Sequence, residues 1–533
     1  MATHEVTNQP PPRVELDEYA ENRPLTEAVA AFGADWATAH LHRVGRHVGS
    51  APFQEDAAAA HRIPPTLRSH DRWGRRIDEV DYDAAYHRII GAAVADGAHT
   101  SVWAEPRPGA AVARAATFML YAQVEPGHAC PVSMTHAAVP SLGHDVQLAD
   151  RWLPRLLSRD YEPRLEPGKT SALFGMAMTE KQGGSDVRAT TTRAVDAGDG
   201  SHRLTGHKWF CSAPMSDAFL VLAQEPRGLS CFLVPRVLED GTRNAFAIQR
   251  LKDKVGNRSN ASGEVELDQT VGFRVGEAGR GVRTIIDMVA HTRLDCVLGS
   301  AAGMRQSVAE AVWHARHRQA FGARLVDQPV MTAVLADLAL ESEAATWTAL
   351  RLARAHDTDA DGQERGFRRI ATAVAKYWVC KRGPGHSVEA MECLGGNGYT
   401  EDFPLAMRYR EQPVMAIWEG SGNVIALDVL RAIGRDPHSL TAFFEEVSAA
   451  GGAHPVLDAH LTRTRELSRA ADPSTARRLV EALALALQAS LMLQRAPSPV
   501  AEAFVGSRLD GQGGHLYGVL SPGADVAAIL ERA

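Results

Sequence analysis

Apolar and polar positions divide the chain into four textures. Residues 1–168 are Ala-rich and fall into helix-length segments such as 82–95 and 109–124. Proline-containing breaks at Pro64-Pro65 and Pro106–Pro108 separate them, and the pattern predicts a helical N-terminal domain. Over 169–280 the pattern shortens to runs such as Phe219-Leu220-Val221-Leu222 and Cys231-Phe232-Leu233-Val234, punctuated by Asp199-Gly200 and Asp240-Gly241. Asp-Gly pairs favour tight turns between strands, so this stretch predicts a small central β domain. Helical texture returns over 281–435, where Val297, Ala301, Met304, Val308 and Val312 recur at three- or four-residue steps along one face of a long helix. After Arg435-Asp436-Pro437 an appended helical extension, 436–533, is expected, with a helix over 475–494. The fold class is therefore α+β: helical domain, β-barrel domain, helical bundle and C-terminal extension.

A chain of 533 residues is too long for one ordinary core and can bury a large cofactor. Its 45% apolar and 23% charged content is that of a globular protein. A formal net charge of -7 gives no global attraction to a phosphate backbone or an anionic membrane. Six scattered cysteines, Cys130, Cys211, Cys231, Cys296, Cys380 and Cys393, form no Cys-x-x-Cys pair or ligand-like His spacing, so buried thiols and no metal site are expected. The first residues lack the basic start and apolar stretch of a signal peptide, and no long apolar run suggests a membrane span. A cytoplasmic location is the expectation.

Two segments carry the candidate chemistry. Met178-Thr179-Glu180-Lys181-Gln182-Gly183-Gly184-Ser185-Asp186 is a hydroxyl- and glycine-rich loop, and Ile417-Trp418-Glu419-Gly420-Ser421-Gly422-Asn423 places a carboxylate beside a glycine turn. Each alone reads equally well as an ordinary surface turn or helix start. Together, in this order, they resemble the acyl-CoA dehydrogenase superfamily of flavoproteins, whose further motifs match in register over about 100–432.

That resemblance implies bound FAD. Met178 and Thr179 would meet the flavin pyrimidine edge, and Gly184-Ser185 would approach its phosphates, glycine leaving the amides open to the anion. Trp209-Phe210-Cys211-Ser212 resembles the segment that covers the isoalloxazine. Cys211 stands where the family has Thr, so a backbone amide or Ser212 would supply the bond near the reactive nitrogen. Arg318-Gln319-Ala320-Phe321-Gly322 with Gln328, and Gly395-Gly396, resemble segments that reach the diphosphate or adenine half of a flavin on a neighbouring subunit. A homotetramer, as a dimer of dimers, is implied. Ile417, Trp418, Ser421 and Asn423 would also hold the cofactor.

By the same resemblance Glu419 is the catalytic base, removing the proton next to a thioester carbonyl. Relatives that place their base on the long helix do so at the position of Thr292, which cannot serve. Arg293 beside it is the substrate-contact candidate, and Ala290 stands where medium-chain enzymes carry an Asp that contacts the pantetheine.

Several segments are of the type found in a DNA-alkylation-response branch of the family. That branch implies weak dehydrogenase activity on short branched acyl-CoA, and double-stranded DNA bound through the C-terminal extension. The extension from Ser439 to Ala533 has 8 Arg and no Lys against 10 Asp plus Glu, so it is not basic overall. Its candidate DNA patch is Arg463, Arg465, Arg469, Arg477 and Arg478, with a solvated face as the equal alternative. Two other readings stay open: a genuine acyl-CoA dehydrogenase for an unusual thioester, and a non-enzymatic DNA-associated protein with structural FAD. No membrane partner is expected.

Overall fold

The computed structural model describes residues 3–533, which form two compact units. One contains residues 55–106 and 125–295; the other contains 3–54, 107–124 and 296–533.

The first unit is built on a small closed barrel. Its strands are β3 (Phe174–Ala177), β4 (Arg193–Asp196), β5 (His202–Ser212), β6 (Ala218–Glu225), β7 (Gly228–Pro235), β8 (Phe246–Leu251) and β9 (Ser262–Val275), following a hairpin of β1 (Thr66–His70) and β2 (Arg76–Asp81). The order β3-β6-β4-β5-β9-β7 closes because β7 pairs antiparallel with both β6 and β9, while β8 adds to β9. Alternate residues point inward, and Leu204, Phe219, Val221, Phe232, Val234, Ile248, Val265 and Leu267 fill the interior.

The hairpin β1–β2 lies within the stretch expected to be helical. Asp71 Oδ1 accepts from the amides of Trp73 and Arg75, and Gly74 at φ +82° completes the turn. Val80 and Leu67 join the barrel core, which anchors strands whose other positions are charged and half-exposed. Helices Ala84–Ala95, Ala129–Leu142 and Val146–Leu156 belong to the helical part of this unit.

In the second unit the expected periodicities hold. Val297, Ala301, Met304, Val308 and Val312 are all buried on the helix Gly281–His317, and the bundle continues through Pro329–Ala355 and Gly362–Glu392. The extension packs as helices Pro437–Ser448, Pro455–Ala470, Ala476–Arg495 and Ser498–Arg508. Proline begins three of these helices or follows the N-cap, where its fixed φ and missing N–H cost nothing. Ion pairs tie the extension to the bundle: Arg508 binds Asp337 and Glu341, and Arg532 binds Glu27 and Glu343. All six cysteines are buried, and none is joined in a disulfide. Among the described residues no helix is long and apolar enough to cross a membrane, and no cluster of metal-ligating side chains occurs.

Candidate active site

The glycine-rich loop leaves the end of β3 and is held by a buried ion pair. Glu180, 1% exposed, accepts from Lys208 Nζ at 2.8 Å, from the amide and hydroxyl of Thr191, and from the amide and hydroxyl of Thr192. Burial pushes the Glu180 carboxyl up, but these donors and the Lys208 charge overcome it and hold the group well below the usual carboxylate range. The pair fixes residues 180–192 against β5, with Trp209 N donating to Thr179 O at 2.8 Å. Met178 and Thr179 are half-buried there, and Ser185 is exposed. A Cβ at Gly184 would fall 2.4 Å from Thr179 Oγ1, so only glycine lets the loop fold against that hydroxyl.

Replacing Thr192 by Val keeps the shape and removes a hydroxyl donor to this carboxylate. A hydrogen bond to a charged group contributes about 1.5–3 kcal/mol. Thr192→Val is therefore expected to lose about that much stability by urea denaturation. Retention of the wild-type midpoint would show that Glu180 does not depend on the hydroxyl.

On β5, Trp209 is half-buried and Phe210 exposed, and Lys252 Nζ lies 3.3 Å from the centre of the Trp209 ring. Cys211 is fully buried among the barrel residues, and burial pushes its thiol up to about 12. Its sulfur is thus a neutral core atom. Of the two groups expected to replace the family's Thr, the Ser212 hydroxyl lies 3.4 Å from Ser262 Oγ. The turn 254–260 is tied to the helical part of its unit: Ser259 Oγ donates to the buried Glu125, which also accepts the amides of Gly127 and His128. On the long helix, Thr292 gives its hydroxyl to the carbonyls of Met288 and Val289, and Arg293 is half-buried beside it.

In the second unit, Glu419 occupies a tight loop between helices Pro404–Met415 and Gly422–Arg435. It adopts φ +57°, in the left-handed region that a residue with a Cβ seldom enters, followed by Gly420 at +108°. Such a conformation persists only where neighbours enforce it. Trp418 packs on Cys296, Cys380 and Met415, and the buried Lys376 donates to Gly420 O at 2.5 Å. A Cβ at Gly422 would meet Lys381 Cε at 2.4 Å, so glycine admits that lysine alongside the loop. From the extension, Arg477 Nε donates to Tyr377 Oη at 3.0 Å. The N-cap of the following helix is Ser421, and it makes no side-chain cap bond. Glu419 is therefore not a capping residue, and the Ser421 hydroxyl is left for another partner. Ile417 and Asn423 are exposed.

The remaining expected cofactor residues of this unit lie at its surface. Phe321 is 99% exposed at φ +54°, and Gly395 and Gly396 open a short turn with nothing within 4 Å of an added Cβ. Arg318 donates to Asn8 O, and Gln328 to Ala320 O at 2.8 Å. The candidate DNA arginines divide. Arg463, Arg469, Arg477 and Arg478 are exposed, Arg477 also donating to Tyr377, whereas Arg465 is half-buried, donates to Ser448 and lies over Phe444.

Sequence reasoning gave no role to Glu180, Lys208, Lys376 or Lys381. For Lys208 the signal lay within a quoted motif, a Lys at an inward position of a strand, and Lys376 sits in the buried run 370–377 of its helix, with Lys381 at the surface one turn on.

Comparison with known proteins places these features. Residues 8–163 match the adaptive response protein AidB N-terminal domain, 175–270 the acyl-CoA dehydrogenase middle domain, and 279–434 the acyl-CoA dehydrogenase C-terminal domain. The chain is 45% identical to AidB of Escherichia coli (strain K12) over 96% of its length and 95% of that protein. It is 31% identical to acyl-CoA dehydrogenase family member 11 of Caenorhabditis elegans, over 80% of this chain and 71% of that one. The crystal structure of C. elegans ACDH-11 in complex with C11-CoA superposes with a TM-score of 0.86 at 25% identity, covering 100% of this chain and 93% of that one. With three domain matches in order and a full-length relative at this identity, the chain belongs to the acyl-CoA dehydrogenase family, in its AidB branch.

Proposed function

We propose that the protein is an FAD-dependent oxidoreductase of the acyl-CoA dehydrogenase type, acting on short branched acyl thioesters with Glu419 as general base. The observation that carries this reading is the enforced left-handed conformation of Glu419, in a loop held by Lys376 and Trp418 and not used to cap a helix. The side chains present suit a flavin. Gly184, Ser185, Trp209, Phe210 and Ser212 offer amides, hydroxyls and an aromatic surface, and Ser421 offers a hydroxyl free of its helix. The chemistry that FAD supplies when bound is acceptance of a hydride from the substrate. Glu419 then takes the proton from the carbon next to the thioester carbonyl, which avoids leaving the substrate as a cation. Arg293 contacts the substrate. The exposed Phe321, Gly395 and Gly396 support a site completed by a second subunit, and hence the homotetramer.

Anaerobic titration of the flavin-loaded protein with isovaleryl-CoA, following flavin absorbance, tests the reading. Stoichiometric bleaching is expected. Unchanged absorbance with isovaleryl-CoA and with other short acyl thioesters would sink it.

We place duplex DNA second, on the exposed Arg463, Arg469, Arg477 and Arg478 of the extension. Each phosphate neutralised contributes about -0.9 to the slope of log K against log salt. With four exposed arginines in the candidate patch, the slope per protomer is expected to be no steeper than about -4. Anisotropy of a labelled duplex between low and moderate salt measures it, and a much steeper slope would place the contacts elsewhere.

A further inference from the structure

Inside the barrel-bearing unit, a cavity of about 500 Å³ lies between the hairpin β1–β2, the helix Ala84–Ala95, the segment 161–173 and the loop 213–217. Pockets for drug-sized organic molecules span about 300–1,000 Å³. One wall is a continuous aromatic ladder. Tyr82 stacks on Tyr86 at 4.6 Å with a 15° interplanar angle, His87 meets Tyr82 edge-on at 5.8 Å, and Tyr161 lies 6.0 Å from His87. His87 Nδ1 and Tyr161 Oη are 2.8 Å apart, so these two polar atoms are satisfied by each other.

Two hydroxyls in the lining are not. Ser216, 2% exposed, has no hydrogen-bond partner for Oγ, and among the described residues neither has the hydroxyl of Tyr86, 4% exposed. An unsatisfied buried polar group costs about 1–3 kcal/mol, so Ser216 Oγ, together with the unbonded Tyr86 hydroxyl in the same lining, indicates a polar occupant. Its charge is constrained as well. Every Arg and Lys of the lining is already paired: Arg68 with Glu79 and Asp81, Arg243 with Glu79, Arg164 with Glu162 and Glu166, and Lys169 with Asp217 at 2.6 Å. No unbalanced cation remains to hold a phosphate or carboxylate, and a flat ring suits the aromatic wall.

We propose that this cavity binds an uncharged, planar aromatic compound whose polar substituent exchanges hydrogen bonds with Tyr86 and Ser216. The site stands apart from the flavin reading, because it is formed by one unit alone and uses neither Glu419 nor the loop 178–186.

Indole is a suitable probe, being planar, neutral and a hydrogen-bond donor. Calorimetric titration of the full-length, flavin-loaded protein is expected to show one saturable indole site per protomer, unaffected by isovaleryl-CoA. Tyr86→Phe, which keeps the ring and the fold, should weaken binding about fivefold, the worth of one neutral hydrogen bond near 1 kcal/mol. Leu173→Trp, which fills the cavity, should weaken it at least about tenfold, with the circular dichroism spectrum unchanged. Absence of saturable binding, displacement by isovaleryl-CoA, or wild-type affinity in either folded variant would overturn the proposal.

Discussion

In Glu419→Gln, reduction of the bound flavin by isovaleryl-CoA is expected to slow by about 10²–10⁴-fold, the usual contribution of a positioned general base. Glutamine has the shape and donor capacity to keep the loop but cannot accept the α proton. The loop itself should survive, because its conformation is set by the Lys376 bond to Gly420 O and by Trp418 against Met415, Cys296 and Cys380. Flavin content and melting temperature should therefore match wild type, which separates a lost base from a collapsed site. Single-turnover bleaching under anaerobic conditions measures the chemical step directly. A Gln variant that bleaches at the wild-type rate would require another base, and Thr292, whose hydroxyl is bonded within its own helix, is not available as one.

The second large effect concerns stability. Arg508→Met is expected to destabilise the protein by about 3–5 kcal/mol, the cost of breaking a buried ion pair from one side. Arg508 reaches Asp337 and Glu341, both almost wholly buried, and Arg382 shares Glu341 at 2.9 Å. Burial pushes the Glu341 carboxyl up, but the guanidinium groups of Arg382 and Arg508 outweigh it and bring the group down to about 2. Because the folded value is depressed, this contribution is fully present above the ordinary carboxylate pKa, near pH 4.5, and is lost as pH falls towards about 2. The gap in thermal midpoint between wild type and Arg508→Met should therefore be widest near neutral pH and narrow on acidification below about pH 4.5. A gap independent of pH over that range would mean that Arg508 acts by packing and not by charge.

Much of this architecture was legible in the chain. The face Val297, Ala301, Met304, Val308 and Val312 predicted the long helix because burying one stripe imposes the helical period. The runs at 219–222 and 231–234 predicted β6 and β7 because both are interior strands whose apolar residues pack in the barrel. The hairpin β1–β2 was not legible: in Thr66–His70 and Arg76–Asp81 most positions are charged or half-exposed, and the strand is decided by two side chains, Leu67 and Val80, joining a core made more than a hundred residues later. At the candidate site, motif residues were legible and their supports were not. Lys208 and Glu180 read as surface charges in one dimension, and only the turn of the loop against β5 buries them together.

The second unit is assembled from residues 3–54, 107–124 and 296–533, and its Arg532 grips Glu27. During synthesis at about 5–20 residues per second, the roughly 240 residues from Glu55 to Asp295 take tens of seconds to follow the first helices. Throughout that interval Leu25, Val29, Leu41 and Val44, all destined for the interior, have no bundle helices Pro329–Ala355 and Gly362–Glu392 to cover them. The barrel-bearing unit, by contrast, has its whole sequence out of the ribosome by Asp295, apart from the tunnel's length. The nascent chain thus carries a completed barrel beside an open apolar amphipathic segment, the kind of intermediate on which chaperones act, and yield in expression should follow their supply.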